Sequence, residues 1–383
     1  MRYEIDFIAT KENKGNADAI CFRYEKDGKF INIVYDGGSK VFANKLIEHL
    51  EEFYFKNEYY PKIDYLICSH PDQDHTSGII EVIEKFEIDK IIMNIPWKYI
   101  YDIWDNVNDG RLSKESLEKC LKDDYPYVAE IEKLAKEKGI EIIEGFENKQ
   151  INENLKILSP SKEFFIELLK KSKKTEYLNE SGYKSDIYTE SAKSILSKIT
   201  NWIKELWSKD SLKEDVETSQ ENEMSIVLLG DMEENKFLLT GDVGLKGLEK
   251  AIEKGNKIGI PLTEINFYQI PHHGSRHNLS PSIMNKIVRN IVSEGIKLKK
   301  VAYVFVAYES DIRRENFILR NPDFSLKDKN FLELNDEVLL NYKVLSIYFL
   351  NKEQLKRLEV YAKDYRTKTS DELIKFLKEE VSI

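Results

Sequence analysis

Apolar and polar positions alternate between two periods along this chain. Tyr3–Ile8 alternates residue by residue, and Ala19–Tyr24 and Phe30–Tyr35 flank Lys26-Asp27-Gly28, which predicts a strand and then a hairpin. Asp36-Gly37-Gly38 ends the third strand. In Val41–Tyr54 the residues Leu46, Ile47, Leu50 and Phe53 recur at helical spacing, predicting a helix buried on one face. The short apolar strand Tyr65–Cys68 runs directly into Ser69-His70-Pro71-Asp72, followed by a helix over Ile79–Phe86 and a strand over Lys90–Met93. Residues 112–138 read as helical, and Ile140–Ile143 and Leu155–Leu158 as strands, the latter stopped by Ser159-Pro160. Strands resume at Ser225–Leu229, Phe237–Thr240, Ile265–Ile270 and Val301–Val306. A strand–loop–helix–strand rhythm is that of a layered α/β fold.

Segment 161–222 breaks the rhythm. It is rich in Lys, Glu and Ser, and Ala192, Ile195, Leu196, Ile199, Trp202, Ile203, Leu206 and Trp207 form one helical stripe. The expectation is one large body over residues 1–350, interrupted by a helical insertion at 161–222, with the polar linker Ser208–Asn222 closing it. Residues 351–383 read as a C-terminal helical extension. The apolar stripe needs a cover, so the insertion is expected to cap the body or to form a homodimer contact.

Composition narrows the class. The 383 residues are 41% hydrophobic and include 21 Tyr and 18 Phe, enough for a sizeable core, which excludes a disordered chain. No run of about 18 apolar residues is present to span a membrane, and the first fifteen residues do not read as a secretion signal. Three Cys without CxxC spacing point to a reducing compartment, so a cytoplasmic chain with no membrane partner is expected. The net charge is −10, yet residues 271–330 carry 11 basic and 6 acidic residues. A local excess of five positive charges suits a phosphate-bearing substrate as well as it suits a solvated surface.

Five of the six His fall in two short segments, His70-Pro71-Asp72-Gln73-Asp74-His75 and Pro271-His272-His273-Gly274-Ser275-Arg276-His277. The sixth, His49, is expected to be partly exposed on its helix. In a loop after a buried strand, His70, Asp72, Asp74 and His75 offer four metal ligands in six residues. Asp242 lies between Gly241 and Gly244 after an apolar strand, where a carboxylate can meet closely packed backbone. Adjacent His272 and His273 cannot easily face one point, so one is expected to bind metal and the other to touch substrate or a supporting carboxylate.

Strand–hairpin–DGG, then SHxxxDHxxG, LTGD and PHHGS, is a motif order that resembles the metallo-β-lactamase-fold hydrolases. Within them it is most similar to the soluble hydrolase domain of ComEC-type competence proteins, over roughly residues 1–325. The resemblance implies a four-layer αββα sandwich, with His70, Asp72, Asp74, His75, Asp242 and His272 as metal ligands and Asp242 bridging. Gly15-Asn16-Ala17-Asp18-Ala19-Ile20 resembles the family's strand entry, with Ala17 in place of a Gly, and Asp36 matches the first-motif Asp beside the site. Asn222 and Ser225 match the polar pair before LTGD and, with Arg276 and Asn321, are expected to touch substrate. Asn321 stands where a late His would be expected, and no His lies between His75 and His272. The centre could therefore hold two divalent ions or one. Three carboxylates make it hard enough for Mn²⁺ to compete with Zn²⁺.

The implied chemistry is hydrolysis by a metal-activated water, with Asp74 orienting that water and His273, Ser275 or Arg276 meeting the developing charge. A phosphodiesterase or nuclease acting on nucleic acid or nucleotides is the first reading. An amide, lactone or thioester hydrolase of the same fold is the second. A silenced site on an interaction module is the third.

Overall fold

The computed structural model describes residues 3–8, 17–56, 60–107, 113–149, 151–172, 174–175, 214, 216–233, 235–265, 267–274, 278–280, 282–283 and 286–287, with the backbone of 302–308 and 342–349. The Trp202/Trp207 stripe and the 351–383 extension lie outside these residues.

Among the described residues, twelve strands form two sheets. The larger runs β11(Ala302–Tyr308)-β12(Tyr342–Phe349)-β1(Tyr3–Ile8)-β2(Ala19–Lys26)-β3(Lys29–Gly37)-β4(Lys62–Ile67)-β5(Glu87–Ile92)-β6(Glu141–Ile143). The smaller runs β10(Phe267–Tyr268)-β9(Asn235–Leu239)-β8(Val227–Met232)-β7(Leu155–Ser159). Strands β1 to β3 pair antiparallel, as the hairpin signal predicts, and β3 to β6 pair parallel.

Period-two alternation explains how the layers stack. Along β2 to β5, Ile20, Phe22, Ile33, Tyr35, Ile67 and Ile92 face the smaller sheet, meeting Leu155, Ile157, Ile226, Leu228, Phe237 and Leu239. The alternate residues Cys21, Val34, Leu66 and Ile91 face the other way, onto helices α1(Ala43–His49), α2(Gln73–Lys85), α3(Ile100–Val107), α4(Lys114–Asp124) and α5(Pro126–Lys138). The outer face of the smaller sheet, Val227, Leu229 and Leu238, packs against the helix Leu245–Lys257 through Leu248, Ala251 and Ile252. Helix, sheet, sheet, helix is the αββα order expected from the sequence. Each fully buried Leu, Ile or Phe on these faces contributes about 1.5–3 kcal/mol, so the three apolar layers hold the sandwich together.

Several elements depart from the sequence reading. The stretch 112–138 is two helices, because Pro126 starts a new one after Tyr125. Strand β12 was not foreseen and inserts between β1 and β11. The segment beginning at 161 does not leave the body at once: α6(Lys162–Lys171), capped by Ser161, buries Phe164, Phe165, Leu168 and Leu169 in the helix-side core. Nor is the end of the expected linker polar and solvated. Ser219 caps the short helix α7(Gln220–Glu223), whose three acidic and amide side chains Glu221, Asn222 and Glu223 are buried. Partners make that burial tolerable, since Glu221 accepts from Ser172 and Tyr125, and Glu223 from the backbone of Lys246 and Gly247 at the start of α8(Leu245–Lys257).

His49 is a clear correction. It is buried, and its Nε2 lies 2.7 Å from Asp6 Oδ2. The apolar face of α1, with Leu46, packs on the sheet and carries His49 inward with it, beside Asp6 on β1. No helix among the described residues is long and apolar enough to cross a membrane.

Candidate metal centre

The site lies where the strand ends of both sheets meet, outside the carboxyl ends of β3, β4, β9 and β10, the usual place for ligands in parallel α/β sheets. Three backbone and side-chain links close this edge. Ile226 N–H donates to Ser69 C=O at 2.9 Å, Tyr35 OH donates to Ile226 C=O at 2.7 Å, and His272 N–H donates to Gly241 C=O at 3.1 Å.

The expected loop from His70 to His75 is only half a loop. Helix α2 begins at Gln73 with Asp72 as its N-cap, so Asp74 and His75 sit on its first turn. Asp at the cap and in the first turn favours this start through the helix dipole. The helix can lie this close because of its glycine contact: Gly78 N–H donates to Gly38 C=O, and a Cβ on Gly78 would lie 2.0 Å from Gly37 O. Asp36, held in the left-handed region at φ 61°, is thereby placed beneath His75.

Hydrogen bonding assigns one tautomer to two of the three described imidazoles of the site, His70 and His75. Asp36 accepts Ser69 N–H at 2.7 Å and Ser69 OH at 2.6 Å, so the Ser69 oxygen accepts from His70 Nδ1 at 2.9 Å. Asp36 also lies 2.9 Å from His75 Nδ1. Asn278 donates its amide to the carbonyls of Asp242 and Val243, which aims its oxygen at His272 Nδ1, 3.0 Å away. His70 and His75 each turn Nδ1 to an acceptor, the His272 Nδ1 lies between the Asn278 oxygen and the Asn222 amide nitrogen, and all three Nε2 atoms face Asp242.

At that centre the spacings change character. His75 Nε2 lies 3.2 Å from Asp242 Oδ1, whereas His70 Nε2 and His272 Nε2 lie 3.9 and 3.7 Å from Oδ2. Asp72 Oδ2 is 3.8 Å from His70 Nε2. The buried His70 Nε2 has no hydrogen-bond partner among the described residues. Two ligands each about 2.0–2.2 Å from one ion stand at most about 4.4 Å apart, so all four spacings lie within reach of a shared cation. The residues present fit a metal group. Ligand atoms of Asp36, His70 and His75 lie within 4.8 Å of one another, and so do those of Asp18, His75 and Asp242.

Without an ion, the two inner imidazoles titrate in opposite directions. Burial pulls the His70 pKa down, with His75 adding to the effect. Burial also opposes a charge on His75, but the carboxylates of Asp242 and Asp36 outweigh it and push its pKa well above the histidine range.

The structure thus brings His70, Asp72, His75, Asp242, His272 and Asp36 together. Asp74 is half-buried and belongs to neither three-donor cluster. Asn222 and Ser225, expected to face substrate, spend their contacts inside: Asn222 Nδ2 lies 3.1 Å from His272 Nδ1, and Ser225 Oγ accepts Asp242 N–H at 3.2 Å. They brace ligands. Of the His pair, His272 faces Asp242, while the His273 side chain, Ser275, Arg276 and Asn321 lie outside the described residues. Two contributors were missed, Asn278 and Asp18. Asn278 carries no motif, whereas Asp18 stood within Gly15–Ile20 and could have been singled out there. Beside His70 a narrow pocket is walled by Pro71, Pro96, Val128, Phe165 and Met224.

No protein-family model matches the chain, and no curated protein matches it. Among solved structures the chain is similar to AbOPH, described as a hydrolase in the beta lactamase superfamily, at 11% identity and a TM-score of 0.27. The overlap covers 61% of this chain and 59% of that one, so it spans less than two thirds of AbOPH. The fold assignment rests on the strand order and layers described above.

Proposed function

We propose that this protein is a metal-dependent hydrolase that cleaves phosphodiester bonds in nucleic acid or nucleotides. The observation that carries the reading is the Asp242 carboxylate, which offers one oxygen to His75 and the other to His70 and His272, with His70 Nε2 buried and unbonded. His70, Asp72, His75, Asp242 and His272 would hold divalent ions, Zn²⁺ or Mn²⁺, with Asp74 close by on α2. Such ions supply Lewis-acid polarisation of the phosphoryl oxygen and a water acidified towards neutral pH.

The chain's own residues do the rest. Asp36 and Ser69 keep protons on the Nδ1 atoms of His75 and His70, which leaves both Nε2 lone pairs available. Asn278 and Asn222 hold the His272 ring in place, and Ser225 holds the Asp242 backbone still. The phosphodiester specificity is supported by the ComEC-type motif order and by the basic excess in residues 271–330. The second reading keeps the fold and changes the bond, to an amide, lactone or thioester hydrolase acting through the same metal-activated water.

Metal analysis paired with turnover separates these. The expected result is bound metal, hydrolysis of bis(p-nitrophenyl) phosphate and of single- or double-stranded DNA, loss on chelation and recovery with Mn²⁺ or Zn²⁺. Bound metal with turnover of amides, lactones or thioesters alone would replace the first reading by the second. Neither metal nor turnover would leave an interaction module.

A further inference from the structure

We infer that Asp18 is a ligand of the metal centre, on the His75 side only, and that the two ion positions differ in hardness because of it. The inference rests on the metal-centre reading above and adds to it a residue outside the expected ligand set.

Asp242 divides the site. Its Oδ2 faces His70, His272 and, through His70, Asp72; its Oδ1 faces His75. A ligand atom of Asp18 lies within 4.8 Å of ligand atoms of both His75 and Asp242, and His70 is not part of that group. Asp18 therefore belongs to one half. It sits at the entry to β2, half-buried, with its backbone oxygen accepting from Gly38 N–H at 2.8 Å. Gln269 orients its carboxylate, donating to Asp18 Oδ2 at 2.8 Å while its own oxygen accepts Thr240 N–H at 2.8 Å. The ends of β9 and β10 thus fix a carboxylate contributed by β2, at a place where a merely solvated Asp would need no such support.

The donor sets then differ. The first half has two imidazoles with Asp72 and Asp242, whereas the second has one imidazole with Asp18 and Asp242. Oxygen-rich sets suit harder ions, so the His75 half should prefer Mn²⁺ and the His70 half should accept Zn²⁺ more readily.

The test is metal binding by the full-length protein, stripped of metal, with Mn²⁺ and Zn²⁺ followed by calorimetry and native mass spectrometry. Wild type should take up two Mn²⁺ that are magnetically coupled by electron paramagnetic resonance. Asp18→Asn keeps an oxygen for Gln269, so it should melt like wild type, bind one Mn²⁺ with little change, and bind the second at least about tenfold more weakly, with the coupling gone. Asp18→Ser provides a second variant without the carboxylate. A folded variant that still binds two coupled Mn²⁺ at wild-type affinity overturns the inference and leaves the metal centre standing. Equal loss of both ions overturns the division into halves. A wild type that binds one ion overturns the two-position scheme, and one that binds none overturns the metal centre as well.

Discussion

His49 and His75 are both buried, and both meet carboxylates along the larger sheet. His49 Nε2 lies 2.7 Å from Asp6 Oδ2, and Tyr54 OH donates to that oxygen at 3.3 Å. Cys21 is directly opposite Asp6 across the β1–β2 pairing, so Asp6, Cys21 and His49 also form a compact group of donor atoms. Around Asp242 the same residue types stand 3.2 to 3.9 Å apart. These spacings, longer by about 0.5–1.2 Å, set a group that a cation could join apart from a closed hydrogen-bonded pair. At 2.7 Å the two atoms share a proton, and no ion with bonds of about 2.0–2.2 Å fits between them. Composition alone does not distinguish a metal centre from a structural pair; spacing does.

The largest effect should come from the site. Asp242→Asn should lower occupancy of both ions and reduce turnover about 10²–10³-fold, as loss of a charge-stabilising group does elsewhere, while the melting temperature of the metal-free protein stays within a few degrees. Loss of only one ion, measured by elemental analysis, would demote Asp242 from bridge to terminal ligand. His49→Ala reverses the pattern. It should cost about 1–3 kcal/mol of stability by taking the imidazole partner from buried Asp6 and leaving it Tyr54 OH, with metal content per folded molecule unchanged. Denaturant unfolding and metal analysis on the same sample check both halves of that statement, and metal loss in folded His49→Ala would erase the distinction between the two histidines.

A smaller effect concerns pH. The folded-state pKa of His75 is raised in the metal-free protein, so its charged form contributes stability that is fully present below the ordinary histidine value of about 6.5 and lost as pH rises through the raised value. An ion must displace that proton, so metal affinity should rise with pH over the same window. Melting curves with and without Mn²⁺ from pH 5.5 to 9 should therefore diverge as pH increases. Parallel curves would show that His75 does not exchange a proton for an ion.

The site was more legible in the sequence than the packing around it. His70, Asp72, His75, Asp242 and His272 stand in short strand-end segments, where residue type and spacing within a few positions carry the signal. The helix start at Gln73 was read late because His-Pro-Asp looks like a loop until Asp72 is seen capping the next turn. Glu221 and Asn222 were read as the end of a polar linker, since nothing nearby in sequence announces Tyr125, Ser172 or His272 as partners.

Local chemistry in the chain determined the alternation of strands and helices, the two His-rich segments, Asp36 and the Asp between glycines. Those features depend on neighbours within one turn or one strand. Tertiary structure alone decided the burial of His49 against Asp6, the turning of Asn222 and Ser225 inward, the orientation of His272 by Asn278, and the approach of Asp18 to His75. Each of these joins strand ends or helix faces distant in sequence, as Gln269 and Asp18 are, at 251 residues apart. A polar side chain in the interior takes whichever partner the packed layers bring within about 3 Å, and that partner is set by how the sheets and helices stack, not by the residues beside it in the chain.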